Sequence, residues 1–185
     1  MKNAPNIKEK IIEATISLIK HSNGLVENIT IRDIAHKANI AIGLVNYHFT
    51  SKNNLIETCV QHIIAQTVET FNKKKSAINN ITSDIMTVFT YLIKHPEISK
   101  ISMLADLSYP NLNSNSIKSY DAILNVLPKT ETENTRRIKA FILLSIIHSA
   151  FLNRQISKDF LGLDLENKDD YSSFFITATE ILNIK

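Results

Sequence analysis

The chain has few of the residues that make tight turns, with three Gly and four Pro among its 185 residues. This scarcity argues against an all-β fold, which needs many turns. Trp is absent, while Leu, Ile, Ala and Lys are frequent, a composition that suits helices. The hydrophobic fraction of 44% is enough for a core in one domain or in two small domains. Ile is also common, so composition alone does not exclude strands. The helical spacing of the apolar residues, described below, leads to the predicted fold class, all-α.

Cysteine is almost absent as well: Cys59 stands alone, so an internal disulfide is excluded. This fits a reducing compartment. The start of the chain has no continuous apolar stretch, because Glu9, Lys10 and Glu13 interrupt it, and so it does not read as a secretory signal. The longest uncharged apolar run covers only residues 140–153, too short to cross a bilayer. We expect a cytoplasmic protein with no membrane contact.

Motifs for catalysis are missing too. There is no Gly-rich phosphate loop and no nucleophile elbow. Cys59 and His62 are three residues apart, but two residues do not make a metal site. We therefore expect neither an enzyme nor a protein with a cofactor.

The charge is distributed unevenly along the chain. Residues 1–75 carry ten Lys or Arg against six Asp or Glu, a balance of +4, and residues 76–185 carry eleven against twelve, a balance of −1. A basic first part beside a near-neutral second part favours a nucleic-acid-facing N-terminal portion.

The apolar spacing predicts about nine helices. A fourth helix, about 51–75, is expected to bridge a first domain (1–53) and a second domain (54–185). The predicted helices cover about 6–21, 30–38, 41–47, 51–71, 78–95, 97–107, 117–127, 131–154 and 168–182.

The sharpest pattern lies between Thr30 and Phe49. Thr30 can cap a helix, and Asp33 three residues later can reach back to its N–H, as in a capping box. Asn39 tolerates the left-handed backbone of a tight turn. Two short helices joined by such a turn, with a third helix for support, predict a helix-turn-helix whose second helix would enter the major groove.

This segment resembles the DNA-binding domain of the tetracycline-repressor (TetR) family. The agreement covers 26 residues in fixed register, and beyond residue 71 only the helical architecture supports it. The matching positions are Thr30, Arg32, Asp33, Ile34, Ala35, Ala38, Ile40, Gly43, His48, Phe49, Ser51, Lys52 and Leu55.

The resemblance implies roles for several residues. Tyr47, His48 and Lys52 would contact phosphates, and the helix starts at Thr30 and Ser51 could receive phosphate oxygens. Arg32 would either touch a phosphate or form a surface ion pair. The base-reading positions would be Ile42, Gly43, Leu44 and Asn46, with a place in the core as the alternative for Leu44. Asn suits adenine and the two methyl-bearing side chains suit thymine, which predicts an A/T-rich operator.

The chain departs from the family pattern at the recognition helix. Ala41 stands where the family has a capping Ser, so a hydroxyl that could cap the helix or touch a phosphate is lost. Asn46, followed by Tyr47, stands where the family has Tyr. These differences affect which DNA sequence is preferred rather than the fold.

The helix predicted for 131–154 is apolar nearly all round between Ile138 and Leu152, which requires two burial partners. The family's last two helices form a four-helix dimer interface, so the resemblance implies a homodimer that binds a palindromic operator. It also implies a small-molecule effector that releases a repressor from DNA. Candidate effector residues, for which core packing is the competing interpretation, are Met86, Phe89, Met103, Tyr109, Tyr120 and His148. The alternative function is a helical adaptor that keeps the fold but binds protein instead of DNA.

Overall fold

The computed structural model describes residues 6–22, 25–72 and 81–184, with side chains throughout except in 64–72. Every regular element in these ranges is a helix, which confirms the all-α prediction. The α-helices are α1 (Ile7–Ile19), α2 (Ile31–Ala38), α3 (Ile42–His48), α4 (Lys52–Asn72), α5 (Ile81–Lys94), α6 (Pro96–Ser108), α7 (Asn115–Val126), α8 (Glu133–Asn153), α9 (Ser157–Leu161) and α10 (Lys168–Ile181). Short 3-10 helices precede α2 at Val26–Asn28 and follow α8 at Arg154–Ile156.

All nine predicted helices are present, and α9 is an addition that the apolar spacing did not indicate. It has only five residues and ends at Gly162, which takes the left-handed φ of 71°. The sequence also predicts a C-terminal stop for the first helix at Gly24, a residue that lies outside the described ranges.

Polar side chains determine where several helices begin. In each case the side-chain oxygen of the preceding residue accepts a hydrogen bond from an N–H of the first turn, which would otherwise have no partner. Residues that cap helices in this way include Asn6, Thr30, Ser51, Ser114, Thr132 and Asn167.

The chain divides into two compact units. The first comprises residues 1–76 with 96–102, and the second comprises 77–95 with 103–185. This division differs from the boundary expected at residue 53, because the first half of α4 packs into the first unit. Its buried side chains Leu55, Ile56 and Cys59 belong to the same core as Ile11 of α1.

The first unit is built around that small core. Ile11 and Ile19 of α1, Ile34 of α2 and Val45 of α3 are fully inaccessible to solvent. Each of the three N-terminal helices therefore contributes to one cluster, and α4 closes it. Mutual burial of this kind holds short helices that would be marginal in isolation.

The second unit has a core of aromatic and aliphatic side chains. The ring centroid of Phe89 lies 4.8 Å from that of Phe175 and 5.2 Å from that of Tyr171. The Tyr171 hydroxyl is 2.8 Å from the hydroxyl of Thr90, so its polar end is satisfied. These contacts join α5 to α10.

Both α8 and α10 carry apolar side chains that this core does not cover. The exposed fractions are 60% for Ile138, 64% for Phe141 and 37% for Ile142 on α8, and 45% for Ile176 and 74% for Ile181 on α10. We call these five residues the apolar face. The expectation that α8 is apolar on two sides thus corresponds to a buried side and an exposed side.

No helix in the described part of the chain is both long enough and apolar enough to cross a membrane.

Candidate nucleic-acid interface

The interface begins with the capped start of α2. The Thr30 hydroxyl accepts the N–H of Asp33 at 3.1 Å, and the Asp33 carboxylate accepts the N–H of Thr30 at 2.9 Å. These reciprocal hydrogen bonds confirm the predicted capping box. The hydroxyl of Thr30 also donates to the Asp33 carboxylate at 2.6 Å. Hydrogen bonds from Thr30, first from its side chain and then from its backbone, lower the pKa of Asp33 below its ordinary 3.8.

The turn between α2 and α3 is made by Asn39, whose φ of 54° and ψ of 53° are left-handed, as predicted. The N–H of Ile40 donates to the carbonyl of Ala35 at 3.0 Å across the turn. The left-handed backbone conformation costs less free energy for Asn than for most other residues. After this turn α3 runs in a different direction from α2, and one side of α3 remains exposed.

The side chains of α3 divide into an inner and an outer set. Val45 is completely buried, and Phe49 directly after the helix is 5% exposed. Leu44 and His48 are half-buried. The outer set, which we call the reading surface, consists of exposed residues: Ala41, Ile42, Gly43, Asn46 and Tyr47.

Tyr47 is 82% exposed, although tyrosine usually buries much of its ring. Its ring meets that of His48 edge to face, with 5.2 Å between centroids. The pair projects from the last turn of α3, beside the start of α4.

Gly43 has no packing role within the chain. A Cβ added there would meet no heavy atom within 4 Å. The open space in front of Gly43 would allow another molecule to approach the helix backbone closely. Ala41, at the N-cap of α3, makes no side-chain capping hydrogen bond, as its missing hydroxyl requires.

The start of α4 contains a contact that sequence reasoning missed. The Lys52 ammonium donates to the carbonyl of Val26 at 3.1 Å and to that of Glu27 at 3.4 Å. Lys52 therefore ties α4 to the 3-10 helix that precedes α2. An ammonium has three N–H donors, so one remains for a phosphate. Nearby, the Ser51 hydroxyl accepts the N–H of Asn54 at 3.1 Å.

The remaining charged candidate of this segment is Arg32, which is exposed in the first turn of α2. No carboxylate forms an ion pair with it among the described residues. Its charge is therefore directed to solvent, at the same end of α2 as Thr30.

The six candidate effector residues all belong to the second unit, but their surroundings differ. Phe89 and Met103 are buried in the core, and Tyr120 packs against that core. Tyr109, which follows α6, is 74% exposed. A cleft of about 380 Å³ lies between α5 and α10, and Met86 is the candidate residue that lines it. The residues that line this cleft are Thr82, Ser83, Met86, Ile176, Thr179, Glu180 and Ile184.

The half-buried candidate His148 has a lowered pKa. Burial lowers the pKa of its imidazole from the ordinary 6.5, and the negative charge of Asp106 partly opposes the shift. The Asp106 carboxylate accepts both the N–H and the hydroxyl of Ser116, at 2.8 and 2.7 Å.

Cys59 lies in the core of the first unit. Burial raises the pKa of its thiol to about 12, and its sulfur lies 3.7 Å from the carbonyl oxygen of Ile12. Cys59 is thus a packing residue, as small apolar cysteines commonly are. Within the described residues, no three His, Cys, Asp or Glu side chains are arranged to hold a metal ion.

Comparisons with known proteins agree with this geometry. Residues 11–59 match the family model described as bacterial regulatory proteins, tetR family. No curated protein matches the chain. A crystal structure of a TetR transcriptional regulator from Rhodococcus sp. RHA1 has a TM-score of 0.54 and 17% identity, over 95% of this chain and 96% of that one.

A crystal structure of a tetR-family transcriptional regulator from Streptomyces coelicolor is also similar. Its TM-score is 0.59 and its identity 14%, over 95% of this chain and 81% of that chain. At such low identity the two structures show that the fold is shared. The sequence match itself is confined to the segment that contains most of α1, all of α2 and α3, and the start of α4.

Proposed function

We propose that this chain, whose residues 11–59 match the family model of bacterial regulatory proteins of the tetR family, is a homodimeric repressor that binds a palindromic operator through a helix-turn-helix DNA-binding domain. A small-molecule effector would release it from DNA. The site of action would be the cytoplasm, where bacterial DNA lies.

The reading surface is the observation that supports operator binding most directly. It presents Asn46 and Ile42 outward while Val45 anchors the same helix in the core. Asn can bond the edge of adenine at two points, and the methyl groups of Ile suit thymine. Together these residues favour A/T base pairs in the operator.

Phosphate contacts would hold this surface in register. Tyr47 and His48 at one end of α3, the third N–H of Lys52, and Arg32 with the N-terminus of α2 near Thr30 are the proposed contacts. Ala41 supplies no hydroxyl, so its role is limited to close contact, and half-buried Leu44 would meet the DNA with only part of its side chain.

Gly43 allows a sharp test, because folding and DNA binding make opposite predictions for Gly43→Ala. The added Cβ meets nothing inside the chain, and Ala favours a helix over Gly by about 0.5–1 kcal/mol. The variant should therefore melt at the same temperature as wild type or higher. Its affinity for DNA from upstream of its own gene, measured by fluorescence anisotropy, should fall. A variant that binds as tightly as wild type would contradict close approach at this position.

Tyr47 has a matched control in Tyr109, which is exposed to a similar extent, 74% against 82%, but lies in the second unit. Tyr47→Ala should weaken DNA binding at least tenfold, since a phosphate contact and an ordered aromatic contact are both lost. Tyr109→Ala should bind like wild type. Wild-type protein that is folded but shows no salt-sensitive binding to DNA would favour the protein-binding adaptor instead.

The apolar face supports the homodimer. Its five side chains on α8 and α10 are too exposed for a helix face that has no partner, and a second copy can bury them by two-fold symmetry. Two recognition helices would then lie in successive major grooves, about 34–36 Å apart or a multiple of that distance.

Sedimentation analysis of Phe141→Ser tests this arrangement. The variant should weaken the dimer and, with it, binding to a two-half-site operator. Leu112→Ser is the control, since Leu112 is 84% exposed but lies in the loop after α6. A wild-type monomer at micromolar concentration would contradict the proposal.

Effector release would be a population shift toward a conformation whose two α3 helices no longer match the operator spacing. The six candidate residues remain the proposed contacts, and Met86 has the most direct access through the α5–α10 cleft. A compound found by its release of labelled operator should, by linkage, bind operator-free protein more tightly by the same factor. A reporter behind the upstream DNA should be silenced by the protein. Increased reporter expression would indicate an activator.

A further inference from the structure

Lys8 lies outside the helix-turn-helix but is held at the end of α3. Its ammonium is 5.8 Å from the ring centroid of Phe49, the residue that ends α3. Tyr47 and His48 immediately precede Phe49 in the chain. The cation of α1 therefore lies beside the end of the helix that carries the proposed phosphate contacts.

We propose that Lys8 is a further DNA-phosphate-contacting residue, pre-positioned by the Phe49 ring next to the end of the recognition helix. This inference rests on the proposed function, and it adds α1 to the surface that meets the operator. The helix-turn-helix motif does not include this position.

No carboxylate among the described residues lies within ion-pair distance of the Lys8 ammonium. The adjacent Glu9 uses its carboxylate to accept the N–H of Asn6 at 3.2 Å, as part of the cap of α1. Lys8 is also exposed, so its ammonium is accessible to an oxygen anion supplied from outside.

The Phe49 ring and the end of α3 explain why this lysine has a preferred place. An exposed cation is attracted to the face of an aromatic ring. The last carbonyls of a helix carry partial negative charge, which also attracts a cation. Together these interactions offset part of the rotamer freedom that a lysine loses when it binds a phosphate.

Lys10 provides an internal comparison. It lies two residues later on α1 and is also exposed to solvent, but no aromatic ring lies under its ammonium among the described residues. Two residues correspond to about 200° around a helix, so the two lysines point to different sides. If only net charge mattered, their removal would have equal effects.

The experiment measures the salt dependence of binding to the upstream DNA between 50 and 200 mM salt for wild type, Lys8→Met, Lys8→Arg and Lys10→Met. The slope of log K against log salt is negative, and loss of one phosphate contact from each half of a dimer reduces its absolute value by about 1.8. When the salt concentration rises fourfold over this range, the affinity for DNA falls by some factor, and that factor should be about twelvefold smaller for Lys8→Met than for wild type. Lys8→Arg and Lys10→Met should keep the wild-type slope.

The outcomes separate this inference from the function on which it rests. A wild-type protein without salt-sensitive binding would overturn the proposed function and this inference with it. Wild-type binding with an unchanged slope for Lys8→Met would overturn the role of Lys8 alone. An equal loss of slope for Lys8→Met and Lys10→Met would also overturn it, since a general basic field would then account for both. Thermal melts of all four proteins verify that they are folded.

Discussion

Removal of the Lys52 ammonium should destabilise the protein even when no DNA is present. Lys52→Met keeps most of the aliphatic stem but removes both hydrogen bonds to the carbonyls of Val26 and Glu27. A hydrogen bond from a charged donor contributes about 1.5–3 kcal/mol. The 3.4 Å bond is long, and the half-buried side chain allows water to replace part of the interaction. We therefore expect a loss of about 1–2 kcal/mol in the free energy of unfolding.

The assay is thermal unfolding followed by circular dichroism in DNA-free buffer. For a chain of this size, about 1 kcal/mol shifts the melting temperature by roughly 2–4 °C, so the expected decrease is roughly 2–8 °C. Lys37→Met is the control, because it removes the same charge from an exposed position of α2. It should melt within about 1 °C of wild type, as surface substitutions usually change stability little.

The result that would refute this reasoning is a melting temperature of Lys52→Met equal to those of wild type and Lys37→Met. Lys52 would then serve DNA only, and its contacts with the 3-10 helix would add no stability. A lower melting temperature together with a smaller salt slope in DNA binding would mean that the same ammonium both braces the domain and meets a phosphate.

Three further predictions follow from burial and capping. Cys59, buried with its thiol pKa raised to about 12, should react with a thiol reagent at pH 8 only after denaturant is added, and rapid labelling of native protein would show that the core opens. Thr30→Ala should lower the free energy of unfolding by about 1 kcal/mol in urea titrations, because it removes the cap of α2, and an unchanged midpoint would show that the cap adds nothing. Burial lowers the pKa of His148, so protonation in the unfolded state should reduce stability as the pH falls below about 6.5. His148→Gln should remove part of that decrease between pH 7.5 and 5.5 in thermal melts, whereas the exposed control His36→Gln should retain it, and equal curves for the two variants would contradict the assignment.

Local rules predicted the centre of the interface well. The capping box at Thr30 and the left-handed turn at Asn39 depend on a few adjacent residues, whose hydrogen bonds and backbone preferences are visible in sequence. The burial of Val45 likewise follows from helical periodicity. The contact from Lys52 to Val26 spans 26 residues. No local pattern encodes that distance, and only the assembled domain brings the two groups together.

The effector candidates show what local sequence patterns could not predict. Phe89 is an aromatic residue on an amphipathic helix, a description that fits both a pocket wall and a core. The structure stacks it against Tyr171 and Phe175, contacts set by residues more than eighty positions away. The helix at 157–161 was not predicted for a related reason. Phe160 is 60% exposed, so the segment lacks the buried apolar stripe that indicates a helix in a sequence.

The open space around Gly43 bears on how such a regulator acquires a new operator. Ile42, Gly43 and Asn46 point outward, while Val45 and Phe49 hold α3 in the core. Substitutions at the three outward positions change the chemistry offered to DNA without opening a cavity or crowding the interior. Specificity can therefore diverge by single mutations at almost no thermodynamic penalty. A library that randomises these three positions should yield mostly folded proteins with different sequence preferences.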